Sequence, residues 1–182
     1  RKTTSKEIQE TIMNLRKRLP DVHIRTSLMV GFPGETEEHF EHLLQFVKEY
    51  RLENVGVFQY SDEELAYSHR LPNHVPDFIK QERYERLMEA QLDVVKRANE
   101  ARVQQKLRLH TVIEGINPDH SSKNTVHAIA GRYYGQCPDI DGQVIIESSS
   151  ITSIIPGERY WVEIHDYDNY DLIGTIVSPK QI

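Results

Sequence analysis

Arg25-Thr26-Ser27-Leu28-Met29-Val30-Gly31-Phe32-Pro33-Gly34-Glu35-Thr36 is the stretch whose reading decides the fold of the first half of this chain. Up to Val30 it alternates in polarity and is rich in β-branched and long apolar residues, the pattern of a strand. Gly31, Pro33 and Gly34 then break the strand. Thr36 can cap a helix, and Glu37 and Glu38 follow in its first turn, where the helix dipole favours negative charge. Strand, tight glycine turn and helix start describe the carboxyl end of a strand, the place where parallel α/β sheets bind ligands. Two glycines let the backbone approach a ligand with no Cβ in the way. The same residues also suit a turn that only connects.

Working outward, Thr4-x-x-Glu7 is a capping box, and Ile8, Ile12, Leu15 and Leu19 then fall on one helical face until Pro20-Asp21. Val22, Ile24, Thr26, Leu28 and Val30 alternate along the strand into the turn. Phe40, Leu43, Leu44 and Val47 mark a second helix ending near Tyr50, and Asn54 to Tyr60 is the next strand. Strand, helix, strand at this spacing is a right-handed βαβ unit. Two parallel strands leave open edges and a face that is normally covered, so this part reads as the back portion of a larger barrel or doubly wound sheet, its missing strands upstream. Ser61 to Val75 is a loop. Asp77 to about Gln105, free of Gly and Pro, is one long helix.

After Lys106 the texture changes to short strands: Leu107–Glu114, Thr125–Arg132, Gln143–Ile146, Arg159–His165 and Leu172–Val177. Asn117-Pro118-Asp119, Asp141-Gly142, Pro156-Gly157 and Asp168-Asn169 are turn signals. Five short strands in about 75 residues suggest a small all-β barrel of the oligonucleotide-binding type. The expected fold is therefore α/β, made of βα units over residues 1–105, followed by a five-stranded barrel over residues 106–182.

The chain has 22 basic and 28 acidic residues, which argues against strong, non-specific nucleic-acid binding. The barrel half, from residue 103 on, holds six basic residues against ten acidic, a net charge of −4. A lone cysteine, Cys137, excludes an intrachain disulfide framework, suggests a reducing, cytoplasmic setting, and cannot hold an iron–sulfur cluster by itself. No apolar run approaches membrane-spanning length. The first residue is Arg1, so the chain reads as a piece of something longer.

Val30-Gly31-Phe32-Pro33-Gly34-Glu35-Thr36 resembles a segment of the radical S-adenosylmethionine methylthiotransferases, and Val57-Phe58-Gln59-Tyr60-Ser61 resembles the strand they place two steps on. A long helix and a C-terminal barrel, the TRAM domain, complete their layout. Gly131-Arg132, Pro138-Asp139-Ile140-Asp141-Gly142, Val75-Pro76, Glu82-Arg83 and Glu85-Arg86-Leu87-Met88 are similar to the branch that modifies an aspartate of a small-subunit ribosomal protein. The first part is then the C-terminal portion of a partial radical S-adenosylmethionine barrel. The resemblance implies S-adenosylmethionine and two 4Fe–4S clusters in the parent enzyme, with cluster ligands upstream and absent here. It implies that the parent adds a methylthio group to an aspartate β-carbon, and that this piece alone is inactive. The family's Cys-x-x-x-Cys-x-x-Cys motif is missing, as truncation would make it. Relatives often carry Gly-Thr after the Tyr-Ser strand, where this chain has Leu65-Ala66, so roles are not carried over into Ser61–His74.

On the residues, Arg25 and Ser27 point away from the Leu28 side of their strand and are candidates to line the cofactor site, with Gly31, Phe32 and Gly34 in the turn and Phe58 and Tyr60 offering a surface to adenine. Ordinary barrel core for Phe58, and a salt bridge or solvated strand end for Arg25, are the competing readings. Asp139, Asp141, Asp166, Asp168 and Asp171 fall in or near turns and suit a basic partner, here a small-subunit ribosomal protein, while tRNA fits the charge poorly. His39 and His42 read as a solvated helix face rather than a metal site. The alternatives are a tRNA methylthiotransferase piece with an RNA-binding barrel, whose tyrosines and Trp161 would stack bases, and a non-enzymatic binding module.

Overall fold

The computed structural model describes residues 3–116, 127–148 and 154–178. The turn expected at Asn117-Pro118-Asp119 and the first residues of the strand expected from Thr125 lie outside them. The elements are α1 (Ser5–Arg18), β1 (Arg25–Val30), α2 (Glu37–Glu49), β2 (Asn54–Gln59), a 3₁₀ turn (Tyr67–Arg70), α3 (Asp77–Gln104), β3 (Arg108–Ile116), β4 (His127–Tyr133), β5 (Val144–Ser148), β6 (Arg159–Asp168) and β7 (Asp171–Ser178). Contacts divide the chain inside α3 into two compact units, Arg1–Val94 and Val95–Ile182.

In the first unit, β1 and β2 pair in parallel, from Arg25 opposite Asn54 to Val30 opposite Gln59. Val22 and Ile24 were expected to belong to the strand; it starts at Arg25, where a partner becomes available. Alternation gives the two-stranded sheet two unlike faces. Leu28, Val30, Val55 and Val57 pack with Ile12 of α1, Phe40, Leu44 and Val47 of α2, and Leu87 and Ala90 of α3. Arg25, Ser27, Met29, Gly56 and Phe58 form the other face, where Met29 is 51% and Phe58 58% exposed. Both short helices start on capping boxes. Thr4 Oγ1 accepts from Glu7 N–H while Glu7 accepts from Thr4 N–H. At α2, Thr36 Oγ1 accepts from His39 N–H, and His39 Nδ1 accepts from Thr36 N–H.

In the second unit the strands close in the order β3-β4-β5-β7-β6, with only β5 and β7 parallel. Closure leaves no strand edge open. Leu109, Ile113, Ile129, Tyr133, Val144, Ile146, Tyr160, Val162, Ile164 and Leu172 fill the interior. Register shifts in β3 at Ile113/Gly115 and in β6 at Trp161/Val162 and Ile164/Asp166 supply the bending that a five-stranded closure requires. The end of α3 adds Val103 to this core, and Asn99 Nδ2 donates to the Asn169 carbonyl.

Candidate functional site

The glycine turn leaves β1 with Gly31 at φ +78° and Gly34 at φ +85°, conformations that only glycine adopts without strain. Its polar groups are tied inward. Gly31 N–H donates to Glu35 Oε1 at 2.9 Å, and Gly34 N–H to the Asn73 carbonyl at 2.9 Å. Tyr60 N–H donates to the Val30 carbonyl at 2.9 Å, which extends the β1–β2 pairing one step past the strand. Pro33 is buried, and Phe32 stands out at 43% exposed.

Arg25, Ser27 and Phe58 thus share the open face of β1–β2 with Met29, and this face runs up to the turn that carries Phe32. Arg25 and Ser27 also line a groove of about 1040 Å³ whose apolar walls include Ile8, Leu15, Leu43 and Phe46. Tyr60 sits differently. It is 6% exposed, with the edge of Phe32 against it at 5.3 Å between ring centres and Lys80 Nζ 5.5 Å from its ring centre. It supports Phe32 from beneath rather than lining the open face.

The residues under the turn were not singled out from the sequence. Lys80 and Arg83, one helical turn apart on α3, are 8% and 5% exposed. The Lys80 stem occupies the space that a Cβ on Gly31 would enter. Arg83 donates to Glu35 Oε1 at 2.7 Å and to Glu37 at 3.3 Å. Arg86 binds Glu37 at 2.6 Å, Glu41, and Glu82 at 3.3 Å, and its guanidinium carbon lies 4.6 Å from the ring centre of Phe40. The hydrogen bond from Arg86 holds the Glu37 carboxyl below the usual carboxylate range, and the same pairing raises Arg86.

A second group lies in the loop after β2. Asp62 accepts from Tyr60 Oη at 3.2 Å, His69 Nδ1 is 3.0 Å from both Asp62 oxygens, and His74 Nδ1 is 3.9 Å from Asp62. The contact with His69 is the main reason that the Asp62 carboxyl lies below its ordinary range. Spacings of seven and five residues carry no motif, which is why the sequence is silent here. His39 and His42 are exposed, and no group of three or more His, Cys, Asp or Glu among the described residues could hold a metal ion.

The five aspartates singled out on the barrel do not act alike. Asp141 Oδ2 accepts Cys137 N–H and Asp171 Oδ1 accepts Gln143 N–H, each at 2.7 Å. Gly142 is packed so closely on the Tyr170 carbonyl that a Cβ would overlap it. The 137–143 loop and the β6–β7 turn are therefore one surface. Asp139 and Asp168 are exposed on it, with Ile140 71% and Tyr170 38% exposed; Asp166 is exposed on β6 just before the turn. Elsewhere on the barrel, Trp161 and His110 stack 4.9 Å apart. No helix among the described residues is long and apolar enough to cross a membrane.

Residues 108–177 match the family model of the TRAM domain. A protein of Protochlamydia amoebophila named ribosomal protein uS12 methylthiotransferase RimO is 47% identical to this chain over 178 residues, 97% of the chain and 36% of that protein. Proteins of the same name in Myxococcus xanthus and Chlamydia felis are 41% and 39% identical over 97% of the chain and 36% and 37% of their own lengths. The chain spans little more than a third of the length of the curated relatives it matches.

Proposed function

We propose that this chain, homologous over nearly its whole length to the methylthiotransferases named RimO and carrying a TRAM domain, builds one wall of the cofactor site of such an enzyme and presents an acidic barrel surface to its protein substrate. The observation that supports the first role is the open face of β1–β2, where Arg25, Ser27, Met29 and Phe58 follow one another along the strands toward the glycine turn. The donor set fits S-adenosylmethionine. Met29, Phe58 and Phe32 offer apolar surface to adenine, the Ser27 hydroxyl a polar contact, and the Arg25 guanidinium a partner for a carboxylate. Gly31 and Gly34 form the end of the wall without side chains.

S-adenosylmethionine and two 4Fe–4S clusters supply the chemistry that places a methylthio group on an aspartate β-carbon of the cytoplasmic ribosomal protein. This chain's residues bind and orient. Its one cysteine lies in the barrel, so the cluster thiolates come from outside residues 1–182 and this piece alone does not turn over.

Calorimetric titration of S-adenosylmethionine into the longer protein that contains this chain tests the cofactor wall. Phe58→Ala removes the apolar surface offered to adenine and should weaken binding about tenfold. Unchanged affinity overturns the assignment. The partner role is tested by titrating this chain with uS12 and with a tRNA anticodon stem-loop at low and moderate salt. Binding to uS12 that weakens with salt is expected; tighter binding to the stem-loop would move the chain to the tRNA-modifying branch.

A further inference from the structure

Glu35 bends back four residues to accept the Gly31 N–H at 2.9 Å. The same oxygen takes a hydrogen bond from Arg83 at 2.7 Å, and that nitrogen also lies 3.3 Å from the Glu35 carbonyl. The Glu35 side chain is 12% exposed and that of Arg83 6%. A carboxylate so enclosed is costly to bury unless a cation pairs with it. Without Arg83 the carboxylate would lose its buried partner and turn toward solvent, and Gly31 would lose its acceptor. The buried Nε of Arg83 has no hydrogen-bond partner among the described residues, so its two terminal nitrogens carry its bonds to Glu35 and Glu37. One turn earlier, the Lys80 stem closes the space beneath Gly31. The conformation of the turn is thus set from α3, far downstream in sequence.

We propose that Arg83 is a positioning residue for S-adenosylmethionine, acting through Glu35 to fix the Gly31–Gly34 turn at the end of the cofactor wall. The inference rests on the reading of the β1–β2 face given above. Arg86 supplies the control: it sits one turn further along α3 and ties the same helices together through Glu37 and Glu41, without touching Glu35.

The experiment has two arms. In this chain, amide exchange at Gly31 is followed by nuclear magnetic resonance for Arg83→Met and Arg86→Met. Arg83→Met should speed Gly31 exchange about tenfold, and Arg86→Met should leave it unchanged even where it lowers Tm. In the longer protein, Arg83→Met should weaken S-adenosylmethionine binding about tenfold, Arg83→Lys should restore part of it, and Arg86→Met should not alter it. Should Arg83→Met fold poorly, Glu35→Gln provides the second variant, with faster Gly31 exchange and weaker binding expected again. Unchanged Gly31 exchange overturns the inference. Faster exchange with unchanged affinity also overturns it, while weakened binding in Phe58→Ala leaves the cofactor wall standing. If Phe58→Ala is silent as well, the wall itself fails and the inference falls with it.

Discussion

A single Cβ separates the two glycines of the turn. Both have positive φ, but at Gly31 the Cβ would overlap the Lys80 stem, whereas at Gly34 nothing lies within 4 Å. Gly34→Ala should therefore cost only the backbone strain, about 1 kcal/mol. Gly31→Ala adds a collision inside a packed site and should cost about 2–4 kcal/mol. Urea unfolding of the two variants measures the difference; equal losses would mean that Lys80 moves aside freely. At this scale the sequence showed which residues form the turn and hid what they touch. Tyr60 illustrates it: the alternation of the strand assigned it to a ligand surface, while Phe32, Lys80 and Asp62 enclose it.

Among the elements, the loop between β2 and α3 owes its shape to charge. Asp62 draws in His69 and His74, and Asn73, at φ +63°, presents its carbonyl to Gly34 N–H. Because the folded state lowers the Asp62 pKa, the pairing contributes stability above the ordinary carboxylate value and loses it as pH falls through the lowered one. Limited proteolysis with an acid-active protease should then cut the loop faster below the ordinary carboxylate value than above it, at a pH where the two units remain folded. In Asp62→Asn the loop should be cut readily at both. A wild-type loop whose sensitivity does not change with pH would show that the pairing does not hold it. Glu37 follows the same sign, since Arg86 lowers it, so the ties between α2 and α3 also weaken toward acid. The helices were legible from their caps and apolar stripes because those signals are local. The ladder of Arg83 and Arg86 with Glu35, Glu37 and Glu41 was not, since its members stand more than forty residues apart.

Taken whole, the chain combines an open-faced α/β unit with a closed barrel that carries a net negative charge. Its acidic residues do not act alike. Asp139 and Asp168 are exposed on the joint surface of the 137–143 loop and the β6–β7 turn, whereas Asp141 and Asp171 hold backbone N–H groups that shape it. Asp139→Lys with Asp168→Lys should weaken binding to a basic protein severalfold, mostly through slower association, and leave Tm near that of the wild type. Asp171→Ala should instead lower stability by about 1–2 kcal/mol by stranding the Gln143 N–H. Stopped-flow association and thermal unfolding separate the two; equal association rates for the charge-reversed variant would place the contact surface elsewhere on the molecule.

The sequence by itself determined what depends on neighbours along the chain. The strand into Val30, the glycine turn, the Thr36 cap, the uninterrupted helix from Asp77 and the change to short strands after Lys106 each follow from period and propensity within a few residues, and the order of elements follows from them. The five-stranded barrel was legible as a count of strands, and residues 108–177 bear it out. Tertiary structure decided the rest. The parallel pairing of β5 with β7, the Lys80 stem beneath Gly31, the bond of Arg83 to Glu35 and the bond of Asp171 to Gln143 all join residues that the chain holds far apart. Such contacts form only once hydrophobic burial has brought the elements together, and a buried ion pair or a filled Cβ space leaves no periodic trace in the residues that make it.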